Sequence, residues 1–123
     1  MSRIVLDADV LKGIAQVCAI IAPKRPAMDV LRFARFQVKR DCLRIETSDL
    51  DTTAIITLPR TDEDEGEMFV NVADLRIVAS MAAEVVTLAS DAETGRISWS
   101  FTRPGAAPQS GHFPGLADSA AWP

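Results

Sequence analysis

The stretch Met68-Phe69-Val70-Asn71-Val72-Ala73-Asp74-Leu75-Arg76-Ile77-Val78-Ala79-Ser80-Met81-Ala82 has an echo 64 positions earlier. There the chain reads Ile4-Val5-Leu6-Asp7-Ala8-Asp9-Val10-Leu11-Lys12-Gly13-Ile14-Ala15-Gln16-Val17-Cys18. Each copy opens with a short apolar run. Asp7 and Asn71 follow, residues that cap the exposed amides of a first helical turn. Apolar residues three and four apart then give one buried stripe per helix. Leu11 matches Leu75, Ile14 matches Val78 and Ala15 matches Ala79. Outside the stripe Lys12 matches Arg76 and Gln16 matches Ser80. The spacing predicts two strand–helix units with a matched polar pair on each helix.

Working outward, the first unit is a strand at 2–6 and a helix at 8–21, with Val10, Leu11, Ile14, Val17, Cys18 and Ile21 on its apolar face. Pro23 and Pro26 end the helix and stiffen a loop carrying Lys24 and Arg25. A strand at 30–38 follows. Its alternation slips at Ala34-Arg35, which predicts a bulge. Strands at 42–47 and 52–58 come next, joined by Ser48-Asp49-Leu50-Asp51, where the Asp49 carboxylate is suited to accept from nearby amides. The second unit repeats the order: helix, then strands at 84–89 and 96–102 around a turn at Asp91–Gly95. A last strand near 103–112 would complete the echo. Pro104, Gly105, Pro108 and Gly111 predict that it fails. The expected organisation is one α+β domain over 1–123, with repeats at about 1–60 and 66–112 and a tail at 113–123.

The 123 residues suffice for one core without disulfide or metal staples. Cys18 and Cys42 have no metal-ligand spacing and read as reduced thiols of a cytoplasmic protein. No apolar run is long enough for a bilayer, and no signal peptide is expected. The net charge of −4 argues against a simple nucleic-acid binder. The charge is uneven, however. Residues 24–44 are basic and 46–74 acidic, an asymmetry that reads either as a means of steering a polyanion to one face or, more commonly, as a solvated surface.

No catalytic constellation is present. His112 is the only histidine, and no phosphate loop, nucleophile elbow or metal-ligand cluster occurs. The reading is therefore of a non-enzyme with no cofactor and no metal.

The doubled strand-helix-strand-strand-strand order resembles one domain of a bacterial DNA sliding clamp, the β subunit of DNA polymerase III. Val10-Leu11-Lys12 with Gln16-Val17 is similar to that family's first helix, and Arg25-Pro26 before Val30-Leu31 to the loop after it. Phe36-Gln37-Val38 and Leu43-Arg44-Ile45-Glu46-Thr47-Ser48-Asp49-Leu50-Asp51 resemble its most recognisable stretch, and Phe113-Pro114 its closing motif.

The resemblance implies a DNA clamp fold of two pseudo-symmetric β-α-β-β-β units, with helices on one face of antiparallel sheets. In the family, three such domains form a chain and two chains close a ring, with helices toward duplex DNA and sheets paired edge to edge. Carried over, Lys12, Lys24, Arg25 and Arg76 become candidate phosphate contacts, and Gln16 and Ser80 polar ones. The strand Thr52-Thr53-Ala54-Ile55-Ile56-Thr57 becomes an oligomer edge. The implied partners are duplex DNA, held weakly and without sequence preference, and further copies of the chain or other clamp or replication proteins, with no membrane. The implied role is sequence-independent DNA association or polymerase processivity in replication or repair. The alternative is an interaction module that pairs with another clamp subunit and does not encircle DNA. With its closing strand degraded, the chain is expected to stop at a monomer or dimer.

Overall fold

Asp7 and Asn71 each end a strand and start a helix, as the repeat predicts. A computed structural model describes residues 2–22, 29–60 and 65–116. The first unit comprises β1 (Ser2–Asp7), α1 (Ala8–Ile21), a short 3₁₀ turn (Asp29–Arg32), β2 (Phe33–Val38), β3 (Cys42–Ser48) and β4 (Thr53–Pro59). The second comprises β5 (Gly66–Asn71), α2 (Val72–Met81), β6 (Val85–Ser90), β7 (Ile97–Phe101) and β8 (Gln109–Phe113). The fold class is α+β.

The two units exchange their first strands. The sheets run β1-β6-β7-β8 and β4-β3-β2-β5. β1 pairs antiparallel with β6 of the second unit, from Ser2 opposite Ser90 to Asp7 opposite Val85. β5 pairs with β2 of the first, from Phe33 opposite Asn71 to Val38 opposite Gly66. Neither unit completes its sheet alone. The helices lie against each other and against the sheets. Equivalent residues of the repeat share one core: Ile4 with Met68, Leu11 with Leu75, Ile14 with Val78, Ala15 with Ala79 and Cys18 with Ala82 are all buried.

Four expectations are corrected. The last strand forms: β8 pairs with β7 from Ile97 opposite Phe113 to Phe101 opposite Gln109. Pro104, Gly105 and Pro108 all precede it, and Gly105 turns the loop at φ +72°, so no proline is asked to donate within the ladder. Gly111 belongs in that strand because its backbone lies under the Trp99 indole, where a Cβ would come within 2.5 Å of the ring. There is no bulge in β2. Leu31 sits in the 3₁₀ turn, and from Phe33 to Val38 burial alternates without a slip. The buried stripe of α1 is Ala8, Leu11, Ile14, Ala15 and Cys18, whereas Val10 and Val17 are exposed. Finally, only one of the two capping residues caps. Asn71 Oδ1 accepts from the amides of Ala73 (2.9 Å) and Asp74 (3.2 Å), whereas the Asp7 side chain makes no capping bond.

Other local readings hold. Asp49 Oδ1 accepts from the amides of Asp51 (3.0 Å) and Thr52 (2.6 Å), closing the β3–β4 turn. Asp91 closes the β6–β7 hairpin similarly through Glu93, whose amide lies 2.8 Å away.

The unequal caps give a stability test. Asn71→Ala is expected to cost about 1 kcal/mol, and Asp7→Ala less than about 0.5 kcal/mol, in urea unfolding. Equal losses would contradict the cap assignment. The thiols give a second test. Burial pushes Cys18 up to about 11, while Cys42 is partly exposed. At pH 8 an aromatic disulfide reagent should titrate Cys42 in the folded protein and Cys18 only on unfolding. Below the ordinary thiol value of 9.0 both states keep the Cys18 proton, so stability should not respond to this group. Between 9.0 and about 11 the unfolded chain loses the proton first, so stability should fall. Cys18→Ala, which removes the buried thiol and keeps Cys42, should lack that slope.

Candidate functional site

α1 and α2 touch through small side chains. Ala15 and Ala79, equivalent in the repeat, are both buried at the helix pair. Residues one turn further round each helix emerge on either side of an open groove of about 550 Å³. Lys12 and Gln16 line it from α1, and Arg76 and Ser80 from α2. Four of the six residues predicted to meet DNA therefore share one concavity. The other two, Lys24 and Arg25, lie outside the described residues.

Among the described residues neither Lys12 nor Arg76 has an ion-pair partner. Among the described residues no carboxylate lines the groove. Ser80 Oγ donates back to the Ile77 carbonyl at 2.7 Å, which leaves its lone pairs for a water or a ligand. Arg32 also belongs here: it lines, with Arg76 and Ala19, an adjoining hollow of about 270 Å³. The sequence gives no helical period by which to place Arg32, because it ends a 3₁₀ turn of only four residues.

Ile20 is the other residue missed. It lines the groove and is 80% exposed. The signal was present, since Lys12, Gln16 and Ile20 are spaced by four and lie in one row on a helix.

The uneven charge does not build this site. Arg35 bonds Glu67 across β2 and β5. Arg44 donates to Gln37 (2.8 Å) and lies 3.3 Å from Glu46. Arg40 lies 3.2 Å from Glu65. Arg35 thus pairs across β2 and β5, Arg44 with Glu46 along β3, and Arg40 with Glu65 outside the strands. Of the two readings of the uneven charge, these pairs favour a solvated surface over a face that steers a polyanion.

The predicted oligomer edge is β4, at the end of its sheet. Thr53, Ala54, Ile55, Ile56 and Thr57 are in the strand, and Thr52 is held in the preceding turn. β8 is the matching end of the other sheet. At the inner seam β5 is partly covered by a bridge from Val70 to Gly115.

This architecture has counterparts among solved structures. The DNA polymerase sliding clamp of Bacillus subtilis superposes with a TM-score of 0.84 at 13% identity, over 98% of this chain and 32% of that one. The DNA polymerase β subunit of Streptococcus pyogenes gives 0.83 at 10% identity, over 98% and 32%. The Helicobacter pylori β clamp, solved with a DNA ligase peptide, gives 0.76 at 15% identity, over 98% and 32%. The fold is that of one sliding-clamp domain. The chain spans about a third of the length of these clamps. No family model matches the sequence, and no curated protein does. Identities this low establish the clamp fold and leave the site to be argued from its own residues. Among the described residues no helix is long and apolar enough to cross a membrane.

Proposed function

We propose that the chain is a non-catalytic, sliding-clamp-like protein of the cytoplasm that associates with duplex DNA without sequence preference, in replication or repair. The observation that carries this reading is the groove. On a clamp-domain fold, Lys12, Gln16, Arg76 and Ser80 ring one concavity between the two pseudo-symmetric helices. Lys24 and Arg25, which follow α1 in the sequence, are proposed to extend the cationic surface. Each cation that meets a phosphate releases a condensed counterion, so binding weakens with salt, and a set this small gives tethering rather than a tight grip. Gln16 and Ser80 add neutral or water-mediated contacts, which do not select sequence.

Fluorescence anisotropy of a labelled duplex against salt tests the reading. With two to four cations engaged, log K should fall with log salt at a slope of roughly −2 to −4. Lys12→Ala or Arg76→Ala should each flatten it by about 1. Binding that ignores salt, or that survives both substitutions unchanged, would exclude this face as the DNA contact.

A second reading is supported by the sheet edges: an interaction module that pairs β4 or β8 with another clamp-type sheet and leaves DNA unencircled. β4 is a full seven-residue edge strand with Ile55 52% exposed. Because β8 is formed, the ground for expecting association to stop at a monomer or dimer is gone. Sedimentation should show concentration-dependent association that Ile55→Lys abolishes, since a charge on an edge strand opposes pairing. A strictly monomeric wild-type chain at high concentration would rule out self-pairing.

A further inference from the structure

The helix pair has two ends, and the strand exchange makes them equivalent in backbone but opposite in charge. Phe33 of β2 lies opposite Asn71, from which α2 starts, and Val85 of β6 lies opposite Asp7, from which α1 starts. The residue before each receiving strand therefore sits beside the first turn of the other unit's helix. At the α2 end that residue is Arg32. At the α1 end it is Glu84, whose carbonyl accepts from the Ala8 amide at 2.7 Å. Both side chains are exposed. Neighbouring positions differ in the same sense, since Asn71 and Ala73 at one end match Asp7 and Asp9 at the other. Asp74, matched by Val10, runs the opposite way, but it does not line the hollow at its end.

That hollow, of about 270 Å³, is lined by Ala19 and Ala22 from α1, by Arg76 from α2 and by Arg32 from the 3₁₀ turn. Asn71 Oδ1 already takes the amides of Ala73 and Asp74, so the hollow attracts an anion chiefly through its two guanidinium groups. Their planar donor forks suit phosphate oxygens, and among the described residues no carboxylate lines the hollow. Arg76 and Ala19 line the groove as well, so groove and hollow form one continuous surface. A phosphate moving the other way, toward the start of α1, would approach Asp7, Asp9 and Glu84 and be repelled. Given the reading of the helix face as a DNA contact, on which this step rests, we infer that the duplex is held off-centre. Arg32 is a further phosphate contact, the DNA backbone runs from the groove into the Arg32–Arg76 hollow, and the acidic start of α1 stays uncovered. The fold's pseudo-symmetry would centre the duplex between the helices; charge displaces it toward the start of α2.

The test uses the full chain and a labelled duplex. The slope of log K against log salt should be flatter by about 1 in Arg32→Ala and should keep its wild-type value in Arg32→Lys, which preserves the charge. It should also be unchanged in Arg96→Ala, whose exposed side chain lines neither the groove nor the hollow. Amide shift changes on adding duplex should map to residues 19–22, 32–34 and 71–80 and leave 7–10 and 83–85 in place. An Arg32→Lys slope as flat as that of Arg32→Ala would make Arg32 a structural residue and overturn the inference. A wild-type slope in Arg32→Ala, or shifts of equal size at the two ends, would overturn it too. In each of these cases the DNA reading stands if Lys12→Ala and Arg76→Ala still flatten the slope. A duplex that fails to bind the wild-type chain at low salt would overturn both.

Discussion

The exchange of first strands is the constraint on which the rest of the molecule depends. β1 finds its backbone partners on β6 and β5 finds its on β2, so each sheet needs both halves of the chain. A three-stranded remainder in either unit would leave an apolar face and an open ladder edge, which is marginal in water. The exchange also fixes where the helices go. Each helix starts at the end of a strand that has crossed to the other unit's sheet, so α1 and α2 are delivered side by side over one core. Alanine at the two equivalent contact positions, 15 and 79, makes that close approach sterically cheap. The groove is therefore a consequence of the topology, and its lining follows from which residues lie one turn from Ala15 and Ala79.

Charge is distributed by the same register. β2 and β5 are neighbours, so Arg35 of the basic stretch meets Glu67 of the acidic one across them, while Arg44 and Glu46 pair two residues apart along β3. These half-exposed pairs contribute little individually, typically below about 1 kcal/mol. Their effect on long-range potential is larger, because they remove net positive charge from the sheet. The helix face keeps Lys12 and Arg76, with no carboxylate lining the groove among the described residues.

Much of this was legible from the chain because the decisive signals are local. The 64-residue echo places both strand–helix units, and burial of the five matched apolar pairs follows from it. Asp49 and Asp91 behave as turn chemistry dictates. What was illegible depends on register and on competing stripes. α1 has apolar residues on more than half its circumference, so periodicity alone cannot say whether Val10 and Val17 or Ala8 and Ala15 face inward. Mass favours the valines. The neighbouring helix favours the alanines, and it is tertiary contact that decides. Pro104 and Pro108 were read as destroying the last strand, when a shift of the strand start to Gln109 leaves both in the loop. Strand boundaries are set by where the partner strand ends, which β8's own residues do not encode. Arg32 was missed for a similar reason. The first unit uses 12 residues more than the second between helix start and the next strand, and the internal repeat offers no template across that insertion.

The departures from symmetry fall outside the groove. Core positions of the two helices are matched nearly one for one, and Lys12 with Arg76 and Gln16 with Ser80 carry the match into the groove, but the outer solvent faces do not follow it. Gly13 stands opposite Ile77 in the repeat, Val17 opposite Met81 and Ile20 opposite Glu84. None of Val10, Gly13 and Val17 lines the groove, so this asymmetry lies outside it. Inside the groove the repeat holds, with a cation and a small polar residue from each helix, which is the arrangement that phosphates would reward, because they favour cations on both helices equally.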